Sequence, residues 1–95
     1  MTVDLAARPK ASNPSPVYPP ALRSAQLEGA VVAQFVVDTL GRAEPASIVI
    51  REATHPLFGD AVRQALLRSR YEPAMASNRK VRQLVEQRFT FTLLR

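Results

Sequence analysis

The side chains that usually perform catalysis or bind metals are sparse in this sequence. It contains one histidine, His55, no cysteine, and eight carboxylates that form no close pair in a recognisable frame. The three glycines, Gly29, Gly41 and Gly59, are isolated, so no glycine-rich loop could hold a phosphate. His55 precedes Pro56, which is typical of the start of a helix, and one histidine with scattered carboxylates is too few donors for a metal site. The sequence therefore predicts a protein that is not an enzyme and that uses neither a metal nor another cofactor.

The chemistry that remains is hydrogen bonding by the backbone of one long strand at the end of the chain. Residues 81–94 alternate between apolar and polar side chains, which is typical of a strand with one buried and one wet face. Gln83 and Gln87 interrupt the inward face, so we expect a thin core under the first half and a thicker core from Phe89 onward. A weakly packed edge can accept an added strand, although a charged edge also protects against aggregation. The predicted partner-binding residues follow this edge: Val81, Arg82, Gln83, Leu84, Val85, Glu86, Gln87 and Arg88.

The basic character of the chain suggests a second kind of partner. The net charge is +5, but the basic residues are scattered and only Arg79, Lys80 and Arg82 cluster. A small basic α+β domain can bind RNA on an open sheet face, where aromatic side chains usually stack on the bases. Here Phe89 and Phe91 share the inward parity, and the outward positions carry threonines. A nucleic-acid-binding module is the alternative function. Because the aromatic side chains point inward, we expect no nucleic acid partner.

A helix, two strands, a second helix and a final strand have to position the edge. Residues 1–16 hold three prolines and no periodic pattern, so we expect a flexible, proline-containing tail before a folded domain at residues 17–95. The patterns predict a helix over 21–28 that Gly29 ends, strands over 29–38 and 47–51, a helix over 56–70 and the last strand. The fold class is then α+β, a two-layer sandwich with a three-stranded antiparallel sheet and both helices on one face, in the order α-β-β-α-β. We expect strand 29–38 in the centre, with Phe35 and Phe89 buried.

The order and spacing of several short motifs resemble one known family. The motifs are Tyr18-Pro19, Gly29-x-Val31-x-x-x-Phe35-x-Val37, Asp38-x-x-Gly41-Arg42, Leu57-Phe58-x-x-Ala61-Val62, Arg70-Tyr71-x-Pro73-Ala74 and Phe89-x-Phe91. Over about residues 17–93 they look like the C-terminal, periplasmic domain of TonB-family energy transducers. The ordered set carries the resemblance, because no single motif is distinctive.

The resemblance implies a function. The domain would belong to the periplasmic, C-terminal part of an inner-membrane-anchored protein that the ExbB–ExbD motor drives through a region N-terminal to this chain. It would grip the TonB box of a TonB-dependent outer-membrane receptor by strand addition and couple the proton-motive force to siderophore-type import. A TonB-like protein-protein interaction domain without a transport role is a further alternative. Exposed strand edges also allow a homodimer by strand pairing.

Overall fold

A three-stranded antiparallel sheet is the frame of the domain in the computed structural model, which describes residues 2–94. In chain order the elements are strand β1 (Arg8–Pro9), helix α1 (Pro20–Ser24), strand β2 (Gly29–Val37), a 3-10 turn (Pro45–Ser47), strand β3 (Val49–Ala53), helix α2 (Pro56–Arg68) and strands β4 (Tyr71–Glu72), β5 (Ala74–Ala76), β6 (Arg79–Val81) and β7 (Gln83–Phe91). The sheet has the order β3-β2-β7. The predicted fold class, an α+β sandwich with β2 in the centre, is confirmed.

One face of β2 forms the middle of the core. Its inward side chains are fully buried, while the alternate positions on the other face are half-buried, as the period-2 pattern predicts. Leu22 of α1 and Phe58 of α2 belong to the same hydrophobic cluster, so both helices cover this face. Phe35 is buried as expected. Phe89 is only half-buried, and Phe91 is the aromatic side chain of β7 that enters the core, at 4% exposure.

Helix α1 ends earlier than the glycine pattern predicts. Gln26 adopts a positive φ of 56°, and the N–H of Leu27 donates to the carbonyl of Leu22 at 2.9 Å, which closes the helix as a Schellman motif. Gly29 has a different role. A Cβ atom there would lie 2.6 Å from Thr54 and 2.8 Å from the ring of Phe58, so glycine permits the close approach of β2 to these side chains.

Residues 4–13, which we call the tail segment, lie within the stretch predicted as a flexible, proline-containing tail. The tail segment runs antiparallel to residues 70–77, which we call the acceptor segment: β1 pairs with β4, and Leu5 forms a bridge with Met75. Such pairing uses backbone groups and needs no alternating side chains, so the sequence pattern does not reveal it.

A hairpin spans the end of the acceptor segment and the residues that follow it. Strands β5 and β6 form an antiparallel hairpin whose turn residues, Ser77 and Asn78, both have positive φ. Positive φ at both central residues is the geometry of a two-residue hairpin turn, and asparagine tolerates it well. The last strand is therefore split in two at Arg82, between β6 and β7.

Candidate functional site

Strand β7 forms one outer edge of the main sheet. Its nine residues pair with all of β2, from Gly29 opposite Phe91 to Val37 opposite Gln83. Within residues 2–94, no strand pairs with the other edge of β7. Because alternate residues of a strand direct their N–H and C=O groups to opposite sides, about half of the β7 backbone faces this open edge.

The predicted site residues fall mainly on β7. Residues 83–88 lie in the strand, whereas Val81 ends β6 and Arg82 lies between the two. Leu84, Glu86 and Arg88 are exposed, while the side chains between them are half-buried on the inward face. The parity of the last strand is therefore as the sequence predicts.

The two glutamines on the inward face have hydrogen-bond partners from distant parts of the chain. The Oε1 atom of Gln83 accepts from the backbone N–H of Ala7 at 2.7 Å. The Oε1 atom of Gln87 accepts from the hydroxyl of Tyr71 at 2.7 Å. Burial raises the pKa of Tyr71 to about 12, so its hydroxyl keeps the proton that it donates. Under the first half of β7, polar contacts therefore replace the thick apolar core found nearer Phe91.

Arg82 is already engaged within the domain. Its guanidinium donates two hydrogen bonds to the carboxylate of Glu44, from Nε at 2.6 Å and from Nη2 at 2.8 Å. The hydrogen bond from Arg82 lowers the pKa of Glu44, and the same bond raises the pKa of Arg82. Because the pair is bidentate, it fixes the side chain of Arg82 at the start of β7. Arg88, by contrast, makes no ion pair within the described residues.

A groove lies beside the second half of β7. Its volume is about 430 Å³, and its lining residues are Ser15, Pro16, Tyr18, Arg23, Arg88, Phe89, Thr90, Phe91 and Thr92. Sequence reasoning assigned residues 81–88 and missed both the far wall of this groove and its extension to Thr92. The Tyr18-Pro19 motif was the only signal that could have indicated the far wall.

Tyr18 holds the far wall of the groove in place. Its ring contacts Phe58 and Phe91 edge-on, with 5.6 Å between ring centroids in each case. Its hydroxyl donates to the carbonyl of Leu27. The guanidinium of Arg23 lies 5.0 Å from the centre of the Tyr18 ring, which places a positive charge at the groove.

The opposite edge of the sheet, on β3, is less suited to strand addition. β3 has five residues, and its register with β2 shifts between Val32 and Ala33. The guanidinium of Arg63 also donates to the carbonyl of Ile48, just before β3, at 3.2 Å. Short length, an irregular register and an occupied carbonyl all disfavour an added strand.

These features describe an α+β domain with a long C-terminal strand whose outer edge is open beside a groove. The chain belongs to the family of Gram-negative bacterial TonB protein C-terminal domains, whose sequence model matches residues 14–93. Its structure is similar to the solution NMR structure of the Pseudomonas aeruginosa TonB C-terminal domain, with a TM-score of 0.77 and 28% identity over 97% of this chain and 91% of that one. No match was found among the curated proteins.

Family membership confirms the resemblance found in the sequence and places the chain among periplasmic domains of TonB-type energy transduction. Such domains are transducing and binding domains that interact with outer-membrane receptors. Among residues 2–94, no helix has the length and apolar character needed to span a membrane.

Proposed function

We propose that this domain binds the TonB box of an outer-membrane receptor as an extra strand on the open edge of β7. An inner-membrane anchor and the ExbB–ExbD motor, acting through a region outside this chain, would couple the proton-motive force to siderophore-type import. The observation that carries the proposal is the nine-residue edge of β7, which no strand of residues 2–94 covers on its outer side. Strand addition obtains its affinity from main-chain hydrogen bonds, so this edge supplies the required groups.

The binding region extends from the predicted residues toward the C-terminal end of β7. Of the predicted residues, 83–88 supply the first part of the edge while Val81 and Arg82 precede it, and the groove supplies a second wall beside residues 88–92. A peptide in the groove would contact β7 through its backbone and the Tyr18 wall through its side chains.

The charge of the groove favours an acidic peptide. Arg23 and Arg88 lie among its lining residues, and none of those residues carries a carboxylate. Arg88 has no competing ion pair within the described part of the chain, so a peptide carboxylate near it gains a partner without breaking an internal contact. Arg82 contributes less to this preference because Glu44 already holds it.

Titration of the full chain with a candidate TonB-box peptide, followed by amide NMR, tests the proposal. The largest shifts should fall on residues 83–92, and binding should weaken only slightly with added salt. Two versions of the peptide distinguish the two edges of the added strand: one is N-methylated at its odd-numbered residues and the other at its even-numbered residues. One phase should abolish binding and the other should preserve most of it, because only alternate N–H groups face β7.

Variants of the domain provide a second test of peptide binding. Leu84→Pro should abolish binding by distorting the edge, whereas Glu86→Ala should have little effect because an exposed charge contributes little. A thermal melt must show that the proline variant still folds. The proposal fails if the largest peptide shifts fall on the turn over residues 38–42 or on the outer face of α2. Homodimers paired through β7 would occupy the same edge and also reduce peptide binding. Sedimentation at two protein concentrations detects such dimers.

The alternative of a nucleic-acid-binding module has less support. The open face of the sheet presents Leu84, Glu86, Arg88 and Thr90 from β7, and the described residues place no aromatic ring there for base stacking. An oligonucleotide titration provides the comparison, because such binding falls steeply as salt rises.

A further inference from the structure

The acceptor segment has an outer edge of its own, and the tail segment occupies it. The N–H groups of Asp4 and Leu5 both donate to the carbonyl of Met75, at 2.8 and 3.2 Å, and the N–H of Met75 donates to the carbonyl of Leu5 at 2.8 Å. β1 and β4 continue the pairing, and the N–H of Lys10 donates to the carbonyl of Arg70 at 3.1 Å. The other edge of β5 pairs with β6, so the tail segment is the outer strand of a small three-stranded arrangement.

Side chains fix both ends of the tail segment. The Oδ2 atom of Asp4 accepts from the N–H of Ser77 at 2.7 Å. The amide of Asn13 donates to the carbonyl of Arg70 and accepts from its N–H, at 2.7 Å in each case. A carboxylate at one end and an amide at the other therefore set the register of the segment on its acceptor.

Most of the tail segment gains little from burial. β1 is exposed, Leu5 is 47% exposed, and Ala7 is the residue that packs against the hydrophobic core. Backbone hydrogen bonds replace those made with water and give a small net gain, while ordering an extended segment costs conformational entropy at every residue. Contact of this kind is reversible.

The docked tail segment also contacts β7. The N–H of Ala7 donates to Gln83 at the first position of β7, and Tyr71 of the acceptor segment donates to Gln87 four residues later. Gln83 is thus hydrogen-bonded to the tail segment, and Gln87 is hydrogen-bonded to the acceptor segment. Release of the tail segment removes the partner of Gln83.

We propose that the edge of the acceptor segment is a second strand-accepting site, distinct from the edge of β7. Its ligand is the tail segment of the same chain, bound reversibly, with Asp4 and Asn13 at its two ends determining its register. The site stands on the contacts of residues 4–13 and 70–77 and does not depend on receptor binding by β7.

The test uses the full chain with its own tail segment disabled. Ala7→Pro removes the N–H that donates to Gln83, and Asn13→Ala removes both side-chain contacts with Arg70. In this double variant, the amide of Met75 should exchange with solvent at least about tenfold faster. A synthetic peptide of residues 2–13 should then restore the protection saturably and shift the side-chain amide signals of Gln83.

Matched controls come from the same segment. Ala6→Pro with Ser12→Ala introduces the same kinds of change at positions whose N–H and side chain make no hydrogen bond within the described residues. This variant should keep slow exchange at Met75 and should bind the peptide weakly, because its site remains occupied. A peptide carrying D4A and N13A should bind the double variant about tenfold more weakly than the unchanged peptide.

Two results would overturn the proposal. Slow exchange at Met75 in the double variant would mean that these contacts do not hold the tail segment. Fast exchange without saturable binding of the peptide would mean that the vacated edge does not accept this segment as a ligand. The amide signals of β2 would reveal whether the double variant unfolds. In that case Asn13→Ala alone should show the same increase in Met75 exchange and the same peptide binding, with smaller changes.

Discussion

Phe91→Ala is the substitution expected to weaken the domain most specifically at the C-terminal end of β7. The Phe91 side chain is 4% exposed and stacks on Phe58 with ring centroids 4.3 Å apart and an interplanar angle of 23°. It also receives the edge-on contact of Tyr18. The substitution therefore removes one ring from a cluster that joins β7, α2 and the segment before α1.

The magnitude follows from burial and ring contacts. Replacing a buried phenylalanine by alanine costs about 3–5 kcal/mol, a range that includes ring pairs of about 0.5–1.5 kcal/mol each. A domain of 95 residues has a total unfolding free energy of about 5–14 kcal/mol. The variant should fold with a much reduced margin, and urea denaturation should show a lower midpoint at an unchanged slope.

Phe89→Ala is the matched control, on the same face of the same strand. Phe89 is only half-buried, so its loss should cost clearly less than that of Phe91. The reasoning is refuted if Phe89→Ala costs as much as Phe91→Ala, or if Phe91→Ala costs less than about 1 kcal/mol.

Two further predictions concern single contacts. Gly41→Ala should destabilise the domain by more than about 1 kcal/mol, because φ is +81° there and an added Cβ would meet the carbonyl oxygen of Tyr71. Gly59→Ala, inside a helix, should lower the unfolding free energy less in the same urea assay. Equal losses for the two variants would contradict the explanation. The stabilising effect of Glu44 should depend on pH. Since Arg82 lowers the pKa of Glu44 below 4.5, the contribution is fully present above pH 4.5 and is lost as the pH falls through the lowered value. The difference in unfolding free energy between the parent and Glu44→Gln should therefore be small at pH 7, because the pair is exposed, and should shrink further at pH 3; a difference that stays constant would exclude this role.

The parts of the fold that follow a side-chain period could be predicted from the sequence. The alternation in β2 and β7 identifies their inward faces, and one apolar stripe identifies α2. The end of α1 could not be predicted in the same way, because Gln26 supplies the positive φ that a glycine usually provides.

The candidate site was predictable only in part, for a related reason. The edge of β7 follows from the pattern of residues 81–94, but the partners of its glutamines come from remote residues, Ala7 for Gln83 and Tyr71 for Gln87. No local pattern encodes a contact between residues 76 positions apart. The second wall of the groove likewise depends on tertiary packing of Tyr18.

The antiparallel docking of the tail segment has a mechanical consequence. A pull on the N-terminal side of the chain acts first at Asp4, at one end of the paired segment, so its bonds break one after another and not all at once. Peeling the segment from Asp4 to Asn13 releases about 33–36 Å of extended chain, at 3.3–3.6 Å per residue. During that extension, the load passes through the remaining hydrogen bonds of the tail segment to the acceptor segment, and not along the backbone to Tyr18. The domain therefore has built-in slack, and the distance between Asp4 and β7 can change by several nanometres while the sheet stays folded.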